Sequence, residues 1–482
     1  MYCDLISAFH SQDRDCGRAF VPPVQRLLST QFGTFSLQLI IEWQQPPWRR
    51  NLVLAANAAG WLTSTNSDIL SRSMTTVSNL GHALAVSGGA PVRTETFPPW
   101  PAFEEEEIQA AAAVLRSGRV NYWTGDEGRA FEREFADFTG CKYAIALANG
   151  TVALELALYC LGIGPGDEVV VPSRTFIASA SCAVMRGAKP VVADIDRDSS
   201  NLTAETIKRV ITSRTKAIVA VHLAGWSCDM ESILELARRH RIAVVEDCAQ
   251  AHGARYCGRS VGSFGDMAAF SFCQDKNMTT GGEGGMLLTN DRRLWELGWS
   301  FKDHGKSFEA VYERDHPPGY RFLHESFGTN WRLTEAQSAI GRVLLRKLPG
   351  MVEKRRRNAA FLSEEFSRIP ALRVVRPPDN VWHSYYKYDV YIRPERLREG
   401  WDRTRVQEAI SAEGIPCLAG TCSEIYLEKA FPESMRPRHR HPVARELGET
   451  SLMFKVHPTL SERDLADTCM AVTKVMQIAS RD

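Results

Sequence analysis

The sequence lacks the features that mark several broad classes of protein. Its 58 basic and 57 acidic residues nearly cancel, which argues against nucleic acid or an anionic membrane as a partner. No uninterrupted apolar segment reaches the roughly 18 residues that a membrane-spanning helix needs. No basic start precedes a first apolar block, so a signal-peptide pattern is also missing. These absences leave small molecules as the expected partners.

The twelve cysteines show neither the spacing of a metal finger nor the density of a small disulfide scaffold. Most of them lie inside apolar runs, among them Cys160, Cys182 and Cys273. Thiols in apolar runs are typical of the reduced core of an intracellular protein. We therefore predict a cytoplasmic protein whose cysteines serve as core residues.

Residues 1–73 differ from the rest of the chain, which at 482 residues is long enough for two or three domains. They mix tryptophan, proline, arginine, glutamine and serine with little sustained periodicity. Met74 then precedes a stretch that is typical of an enzyme N-terminus. We interpret residues 1–73 as a disordered extension, or as an upstream translation that the natural protein lacks.

From Tyr143 onward, short apolar strands alternate with amphipathic helices. This rhythm is typical of βαβ units, which build a mostly parallel sheet with helices on both faces. We therefore predict an α/β fold with a large domain over residues 74–360. Ligands of such sheets bind at the carboxyl ends of the strands, so residues directly after each strand are site candidates. The predicted strands are Tyr143–Ala148, Glu168–Pro172, Pro190–Ile195, Ala217–Leu223 and Ile242–Val245.

Beyond about Phe361 the composition shifts, and the sequence predicts a smaller α+β domain over residues 361–482. The segment Trp382–Tyr391 alternates as a half-buried strand should. Helices are predicted around Val406–Ala412 and Asp464–Met476. Two domains are thus expected after residue 73.

Two of the predicted strand ends carry residues suited to a flat, phosphorylated ligand. Asn149-Gly150-Thr151 lies at a helix start, where backbone N–H groups and the Thr151 hydroxyl can face a phosphate. A plain helix cap after a glycine turn explains Thr151 equally well. Phe176, which follows the second strand, could stack on a ring, although a single aromatic residue is more often part of a core.

The stretch Val244–Gly285 carries the candidate chemistry. One apolar run leads to Asp247, and a second, Met267–Phe272, leads to Lys276 and a glycine-rich turn. Two strands that present a carboxylate and an amine suit pyridoxal 5′-phosphate, which a lysine holds as a Schiff base while a carboxylate partners the pyridinium nitrogen. A lysine beside a buried strand is desolvated, which favours the neutral amine that condenses with an aldehyde.

Neighbouring residues could complete such a site. Gln250 could donate a hydrogen bond to the phenolic oxygen of the ring, and Ser271 could bind the phosphate. A carboxylate after a strand and an isolated lysine are each common on protein surfaces, so neither is decisive alone. An NAD enzyme is the alternative from another class, but Gly281–Gly285 lacks the spacing of a dinucleotide fingerprint and introduces a strand.

Seven short motifs occur in a fixed order over about four-fifths of the chain. They are Asn121–Gly125, Ala148–Thr151, Val171–Ile177, Val221–Gly225, Glu246–Gly253, Gly262–Lys276 and Gly328–Gln337. With these motifs, the chain from about Leu84 resembles the pyridoxal-phosphate-dependent nucleotide-sugar aminotransferases, the DegT–StrS group of fold-type I enzymes. The resemblance implies a large sheet domain and a smaller C-terminal domain that closes the substrate cleft.

The resemblance also implies how the cofactor ring is held. Lys276 would form the Schiff base, and Asp247 would pair with the pyridine nitrogen. Gln250 would lie beside the ring, and Phe176 would stack on it.

The same resemblance assigns the cofactor phosphate to residues from two subunits. Gly150, Thr151 and Ser271 would hold it from one subunit. Asn330 would reach it from the other subunit, which implies an obligate homodimer with shared sites.

The chain departs from the family pattern at a few positions. Cys273-Gln274-Asp275 precedes the lysine where an aromatic residue and a proline are more usual, and Trp331 replaces the common tyrosine after Asn330. None of these changes removes a catalytic group. Sugar dehydratases of the same fold carry histidine at the lysine position, so Lys276 implies transamination.

The implied reaction moves an amino group from glutamate or glutamine to a keto-sugar, expected to be nucleotide-linked, in amino-sugar biosynthesis for surface polysaccharide or secondary metabolites. A keto-cyclitol acceptor, a dehydratase-like reaction and a regulatory protein that binds the cofactor without turnover are the alternatives. His383, Tyr385 and Tyr386 are candidates for contacting the substrate, although an aromatic core strand is the simpler interpretation of the tyrosines.

Overall fold

The structure, a computed structural model, describes residues 83–316, 319 and 321–481. The interpretation of residues 1–73 as an extension falls outside this described part. Residues 83–315 and 322–481 belong to one compact unit. None of the described helices is both long and apolar enough to cross a membrane.

The described residues form helices of very different length, from single turns to one of 32 residues. In chain order they are α1 (Glu105–Ser117), α2 (Glu127–Thr139), α3 (Gly150–Cys160), α4 (Ala178–Met185), α5 (Ala204–Lys208), α6 (Met230–His240), α7 (Arg292–Lys302), α8 (Phe308–Tyr312), α9 (Glu335–Phe366), α10 (Arg403–Ala412), α11 (Pro442–Thr450) and α12 (Glu462–Ala479).

The strands of the described residues fall into three sheets. They are β1 (Tyr143–Leu147), β2 (Glu168–Pro172), β3 (Lys189–Ala193), β4 (Thr215–Val221), β5 (Ala243–Asp247), β6 (Arg255–Tyr256), β7 (Arg259–Ser260), β8 (Met267–Ser271), β9 (Gly285–Thr289), β10 (Leu372–Arg373), β11 (Val381–Trp382), β12 (Tyr388–Ile392), β13 (Cys417–Leu418) and β14 (Ser451–Phe454).

The large sheet has seven strands in the order β1-β9-β8-β5-β4-β2-β3. All of them run parallel except β9, which lies antiparallel between β1 and β8. The prediction of an α/β fold with a mostly parallel sheet is therefore confirmed. Each of the five predicted strands is present, with ends that differ from the prediction by at most two residues.

Successive residues of the central strands face different helix layers, because side chains alternate along a strand. In β2, Val169 and Val171 lie in one apolar core and Val170 in another. In β8, Ala269 belongs to the first core and Phe270 to a third. Both faces of the sheet are covered, as is usual for parallel strands, so polar chemistry is confined to the strand ends.

The C-terminal part holds a four-stranded antiparallel sheet in the order β10-β12-β14-β13. Helix α9 connects this part to the large sheet, since it packs on α1 and α2 while its Leu362 and Phe366 lie in the C-terminal core. The predicted domain boundary at residue 361 lies inside this helix. The division into two domains stays a prediction.

The prediction of one continuous strand over Trp382–Tyr391 is wrong. Strands β11 and β12 are separated by residues 383–387, which form no strand. In this segment Tyr386 donates its backbone N–H to the carbonyl of Ala224 at 2.9 Å, and Tyr385 has a φ of 47°. Hydrogen bonds to the loop after β4 thus replace a strand ladder, and tertiary contacts override the alternating pattern.

The connection from β5 to β8 is fixed by the fully buried carboxylate of Glu246. It accepts hydrogen bonds from the backbone N–H groups of Gly262, Phe264 and Gly265 at 2.7–2.8 Å, and His222 Nε2 lies 3.0 Å away. Burial by itself raises the pKa of Glu246, but the bonds from His222 and the backbone outweigh burial, and the net pKa is lowered.

We expect Glu246→Gln to destabilise the fold by about 3 kcal/mol, because an amide leaves some of these buried donors unpaired. Since folding lowers the pKa of Glu246, its contribution is present above the ordinary value of 4.5 and is lost as the pH falls through the folded value. Urea unfolding at about pH 7 and about pH 4 measures both effects, with the exposed Glu408→Gln as the control. An unchanged urea midpoint at the higher pH would contradict this role.

Candidate active site

The carboxyl ends of the parallel strands meet at one edge of the large sheet. Asp247 is the last residue of β5, Ser271 is the last residue of β8, and Gly150 begins α3 shortly after β1. Phe176 follows β2 at the same edge. Strands β5 and β8 are parallel neighbours. The topology therefore brings four of the predicted residues to the edge where such sheets bind ligands.

Asp247 is a buried carboxylate with two hydrogen-bond donors. Ser179 Oγ donates to its Oδ2 at 2.8 Å, and the N–H of Ala249 donates to its Oδ1 at 3.1 Å. Burial raises the pKa of Asp247, and those two bonds together with the charge of Lys276 offset burial only in part. A cationic group placed against this carboxylate would therefore be stabilising.

Ser179, in the first turn of α4, is a site residue that the sequence pattern does not reveal. Because its hydroxyl donates to Asp247, the contact of 2.8 Å between its Oγ and Thr175 Oγ1 must have Thr175 as the donor. Thr175 thus fixes the direction of the Ser179 proton. The short polar run Ser173–Thr175 after β2, at the ligand-binding edge, could have indicated Thr175, whereas Ser179 lies beyond that run and has no such signal.

Lys276 lies in the turn after β8, and its side chain is 16% exposed. Its Nζ is 3.3 Å from the hydroxyl of Tyr386 and 3.6 Å from Oδ1 of Asp275. Its backbone carbonyl accepts a hydrogen bond from Trp100 Nε1 at 3.0 Å. This amine is therefore positioned by its neighbour Asp275 and by two residues from distant parts of the chain, and it remains reachable from solvent.

Gly150 and Ser271 form a narrow cradle at the start of α3. A Cβ atom on Gly150 would lie 2.5 Å from the Cβ of Ser271, so the position admits glycine alone. The side chain of Asn149 caps the helix by accepting the N–H of Val152 at 3.0 Å. Thr151 is exposed beside them. A serine, a threonine and the unpaired N–H groups of a helix start suit a phosphate.

Phe176 and Gln250 each have a group that could contact the ring of a ligand. The side chain of Phe176 is 66% exposed, which separates it from the buried core aromatics. Gln250 is buried, and its Oε1 accepts the backbone N–H of Ala224 at 2.9 Å. Because Oε1 is engaged, Nε2 is the group that can donate to a ligand. Their predicted roles stay predictions.

The three residues predicted to contact the substrate differ in their surroundings. Tyr386 reaches Lys276, whereas the rings of His383 and Tyr385 stack on each other with centroids 3.8 Å apart. His383 Nδ1 also accepts the N–H of Tyr385 at 2.9 Å. Burial lowers the pKa of His383 to about 3, so this imidazole is neutral and packed. Contact of these residues with a substrate stays a prediction.

Asn330 lies on an exposed segment that runs beside the end of β1. The carbonyl of the next residue, Trp331, accepts the N–H of Ala148 at 2.8 Å, and Arg332 forms a β-bridge with Leu147. The segment that carries Asn330 is therefore adjacent to the connection that leads into α3.

Arg355 is a buried cation near the site, and the basic run Lys354–Arg357 gives no indication of which member is buried. Its Nη1 lies 3.4–3.5 Å from the carbonyl oxygens of Tyr385 and Tyr386, and its guanidinium is 4.8 Å from the centre of the Trp100 ring. Burial lowers its pKa to about 9. Among the described residues, its Nε and Nη2 have no hydrogen-bond partner.

The residues at this edge fit pyridoxal 5′-phosphate. The raised pKa of Asp247 is what a cationic pyridine nitrogen would relieve, and Lys276 offers an amine for the aldehyde. The cradle of Gly150 and Ser271, where a Cβ does not fit, offers a place for the phosphate.

Comparison with known proteins agrees with this chemistry. A family model described as the DegT/DnrJ/EryC1/StrS aminotransferase family matches residues 101–473. The chain is 37% identical over 370 residues to a GDP-perosamine synthase of Caulobacter vibrioides, covering 73% of this chain and 92% of that protein. It is 35% identical over 421 residues to an L-glutamine:2-deoxy-scyllo-inosose aminotransferase of Streptomyces kanamyceticus, covering 82% and 97%.

A solved structure gives the same result. An aminotransferase from Psychrobacter cryohalolentis matches with a TM-score of 0.78 and 53% identity, covering 79% of this chain and 99% of that one. The family model spans most of the chain and includes every strand of the large sheet. The chain therefore belongs to the DegT/DnrJ/EryC1/StrS aminotransferase family, and it is an enzyme that depends on pyridoxal 5′-phosphate.

Proposed function

We propose that the enzyme transfers an amino group from glutamate or glutamine to a nucleotide-linked keto-sugar in amino-sugar biosynthesis. The observation that carries the proposal is the meeting of Lys276, Asp247 and the Gly150–Ser271 cradle at one sheet edge. The names of two relatives support the substrate classes, since one name contains GDP and the other contains L-glutamine.

Each group at the edge has a proposed task in this reaction. The cofactor, when bound, supplies a ring that withdraws electrons from the α-carbon of the amino acid attached to it. Asp247, fixed by Ser179 at 2.8 Å, would keep a proton on the pyridine nitrogen. Lys276 Nζ would bond to the cofactor and, once released, would take the proton from the α-carbon. The hydroxyl of Tyr386, 3.3 Å away, would keep the released amine in place.

The remaining predicted residues would orient the ring. Ser271, Thr151 and the N–H groups that begin at Gly150 would bind the phosphate. Phe176 would cover one face of the ring, and Gln250 Nε2 would donate to its phenolic oxygen. Holding the ring at several points aligns the reacting bond and lowers the entropy cost of the reaction.

We also propose a cytoplasmic location and two domains, residues 74–360 and 361–482. All ten cysteines of the described part of the chain are free thiols, which supports a reducing compartment. The separate four-stranded sheet beyond residue 361 supports the second domain.

A keto-cyclitol acceptor is the second candidate, because one relative is named for 2-deoxy-scyllo-inosose. The experiment that separates the two uses enzyme whose cofactor has been aminated with glutamate or glutamine. Keto-sugars, free and nucleotide-linked, and keto-cyclitols are added in turn. We expect a nucleotide-linked keto-sugar to return the absorption spectrum to its starting form most rapidly.

The variant Lys276→Ala serves as the negative control in that experiment, and the exposed Lys142→Ala as its matched counterpart. We expect Lys276→Ala to lose at least about 1,000-fold in turnover, since both the nucleophile and the base are removed. Conversion of keto-cyclitols alone would replace the sugar proposal, and a Lys276→Ala enzyme with more than a few per cent of activity would refute the site.

We expect Asp247→Asn to lower the activity of the enzyme without lowering its stability. We expect kcat to fall about 100-fold or more, because the charge that holds the proton on the pyridine nitrogen is removed. Folding raises the pKa of Asp247, so its ionised form weakens the folded state above that pKa, and the cofactor-free variant should be as stable as the wild type or more stable. Steady-state kinetics and thermal unfolding of the cofactor-free protein measure the two effects, with Asp379→Asn as control. A marked loss of stability would show that Asp247 acts in folding instead.

A homodimer with shared sites follows from the proposed role of Asn330. Phe322 and Phe327, on the segment that leads to Asn330, are 86% and 98% exposed. Exposed apolar groups of this kind mark surfaces that another protein covers. Their position supports an obligate dimer in which Asn330 of the partner subunit reaches the cofactor phosphate.

A mixing experiment tests this arrangement. Lys276→Ala and Asn330→Ala subunits are inactive or weak alone, and they are unfolded and refolded together. If the sites are shared, each mixed dimer contains one intact site, and random pairing should restore about a quarter of wild-type activity. If Asn330 serves its own subunit, the mixture stays as inactive as its components. Refolded wild-type enzyme sets the recovery expected from the procedure.

A further inference from the structure

Asp275, Lys276 and Tyr386 form a triangle of polar groups. The hydroxyl of Tyr386 donates a hydrogen bond to Oδ2 of Asp275. Lys276 Nζ lies 3.3 Å from the same hydroxyl and 3.6 Å from Oδ1 of Asp275. A phenol carries a single proton, and here the carboxylate receives it. The hydroxyl oxygen therefore faces Lys276 as an acceptor, and Nζ must be the donor.

Tyr386 is held in place without Asp275. Its backbone N–H donates to Ala224, Arg355 Nη1 lies 3.5 Å from its carbonyl oxygen, and its ring is buried. Asp275 has a side chain that is 61% exposed, so its replacement leaves no cavity. The carboxylate therefore acts on the hydroxyl proton and on the local charge, and the fold does not depend on it.

Asp275 is ionised in this setting. Burial by itself raises its pKa, but the charge of Lys276, the bond from Tyr386 and the charge of Lys387 outweigh burial, and the net pKa is lowered. The other titratable groups that face the triangle are Cys273 in the same turn, Asp247 at the end of β5, His252 after that strand, and Arg355 in α9.

We propose that Asp275 is a positioning residue that sets the protonation of the Lys276 nitrogen. Its carboxylate stabilises positive charge on that nitrogen across 3.6 Å, and it turns Tyr386 into a pure acceptor. Lys276 becomes positively charged when it takes the proton from the α-carbon, so Asp275 favours that step. This inference rests on the proposed role of Lys276.

The test uses cofactor-loaded enzyme and the variants Asp275→Asn, Asp275→Glu and Tyr386→Phe. The exposed turn residue Asp379, changed to Asn, is the charge-matched control. The visible absorption of bound pyridoxal phosphate changes when the nitrogen that joins it to the lysine loses its proton, and a pH titration gives the midpoint. We expect the midpoint to fall by about one pH unit in Asp275→Asn. It should return towards the wild-type value in Asp275→Glu and stay unchanged in Asp379→Asn.

Reduction with borohydride and peptide mapping of the same samples identify the lysine that carries the cofactor. Cofactor on Lys276 with an unchanged midpoint in Asp275→Asn would overturn the role of Asp275 and leave the proposed site intact. Cofactor on another lysine would overturn both. If Asp275→Asn does not load, Asp275→Ala takes its place, since a lowered midpoint supports the proposal and an unchanged one overturns it. Tyr386→Phe keeps the carboxylate at 3.6 Å and should therefore lower the midpoint less.

Discussion

Two adjacent carboxylates at the end of β5 define the chemistry of this molecule. Side chains alternate along a strand, so Glu246 and Asp247 face opposite sides of the sheet, and both are buried. Glu246 receives enough hydrogen bonds to lower its pKa despite burial, whereas Asp247 receives two from the protein and keeps a raised pKa. The first carboxylate therefore completes the fold, and the second is suited to a cationic ligand group.

The C-terminal part completes the site through a segment that is not a strand. Residues 383–387 hydrogen-bond to the loop after β4 and carry Tyr386 to Lys276. Arg355 contacts the carbonyls of this segment from α9. Three cations, Lys276, Arg355 and Lys387, therefore lie near the carboxylates of the site. This concentration of positive charge suits a ligand with phosphate and carboxylate groups.

Much of this architecture could be predicted from the sequence. The alternation of apolar runs and amphipathic segments predicted five parallel strands, and all five are present in the structure. The pattern is informative because buried parallel strands need near-continuous apolar residues. Strand ends share one edge in such a sheet, so Gly150, Phe176, Asp247 and Ser271 could be placed together before their contacts were known. Lys276 followed from its position after a buried strand. These features depend on residues that are close together in the sequence, so the local sequence pattern indicates them.

Other features depend on contacts between distant residues, which a local pattern does not contain. The alternating segment around Tyr385 indicated a strand, but hydrogen bonds to Ala224 and its neighbour bent it into the site. Ser179 and Arg355 gave no sequence signal, because burial and partners distinguish them from other serines and arginines. The sequence by itself determined the sheet and the two groups that are proposed to hold the two ends of the cofactor ring. Tertiary packing decided which hydroxyls and charges surround those groups, since desolvation and hydrogen bonding act only once the chain is folded.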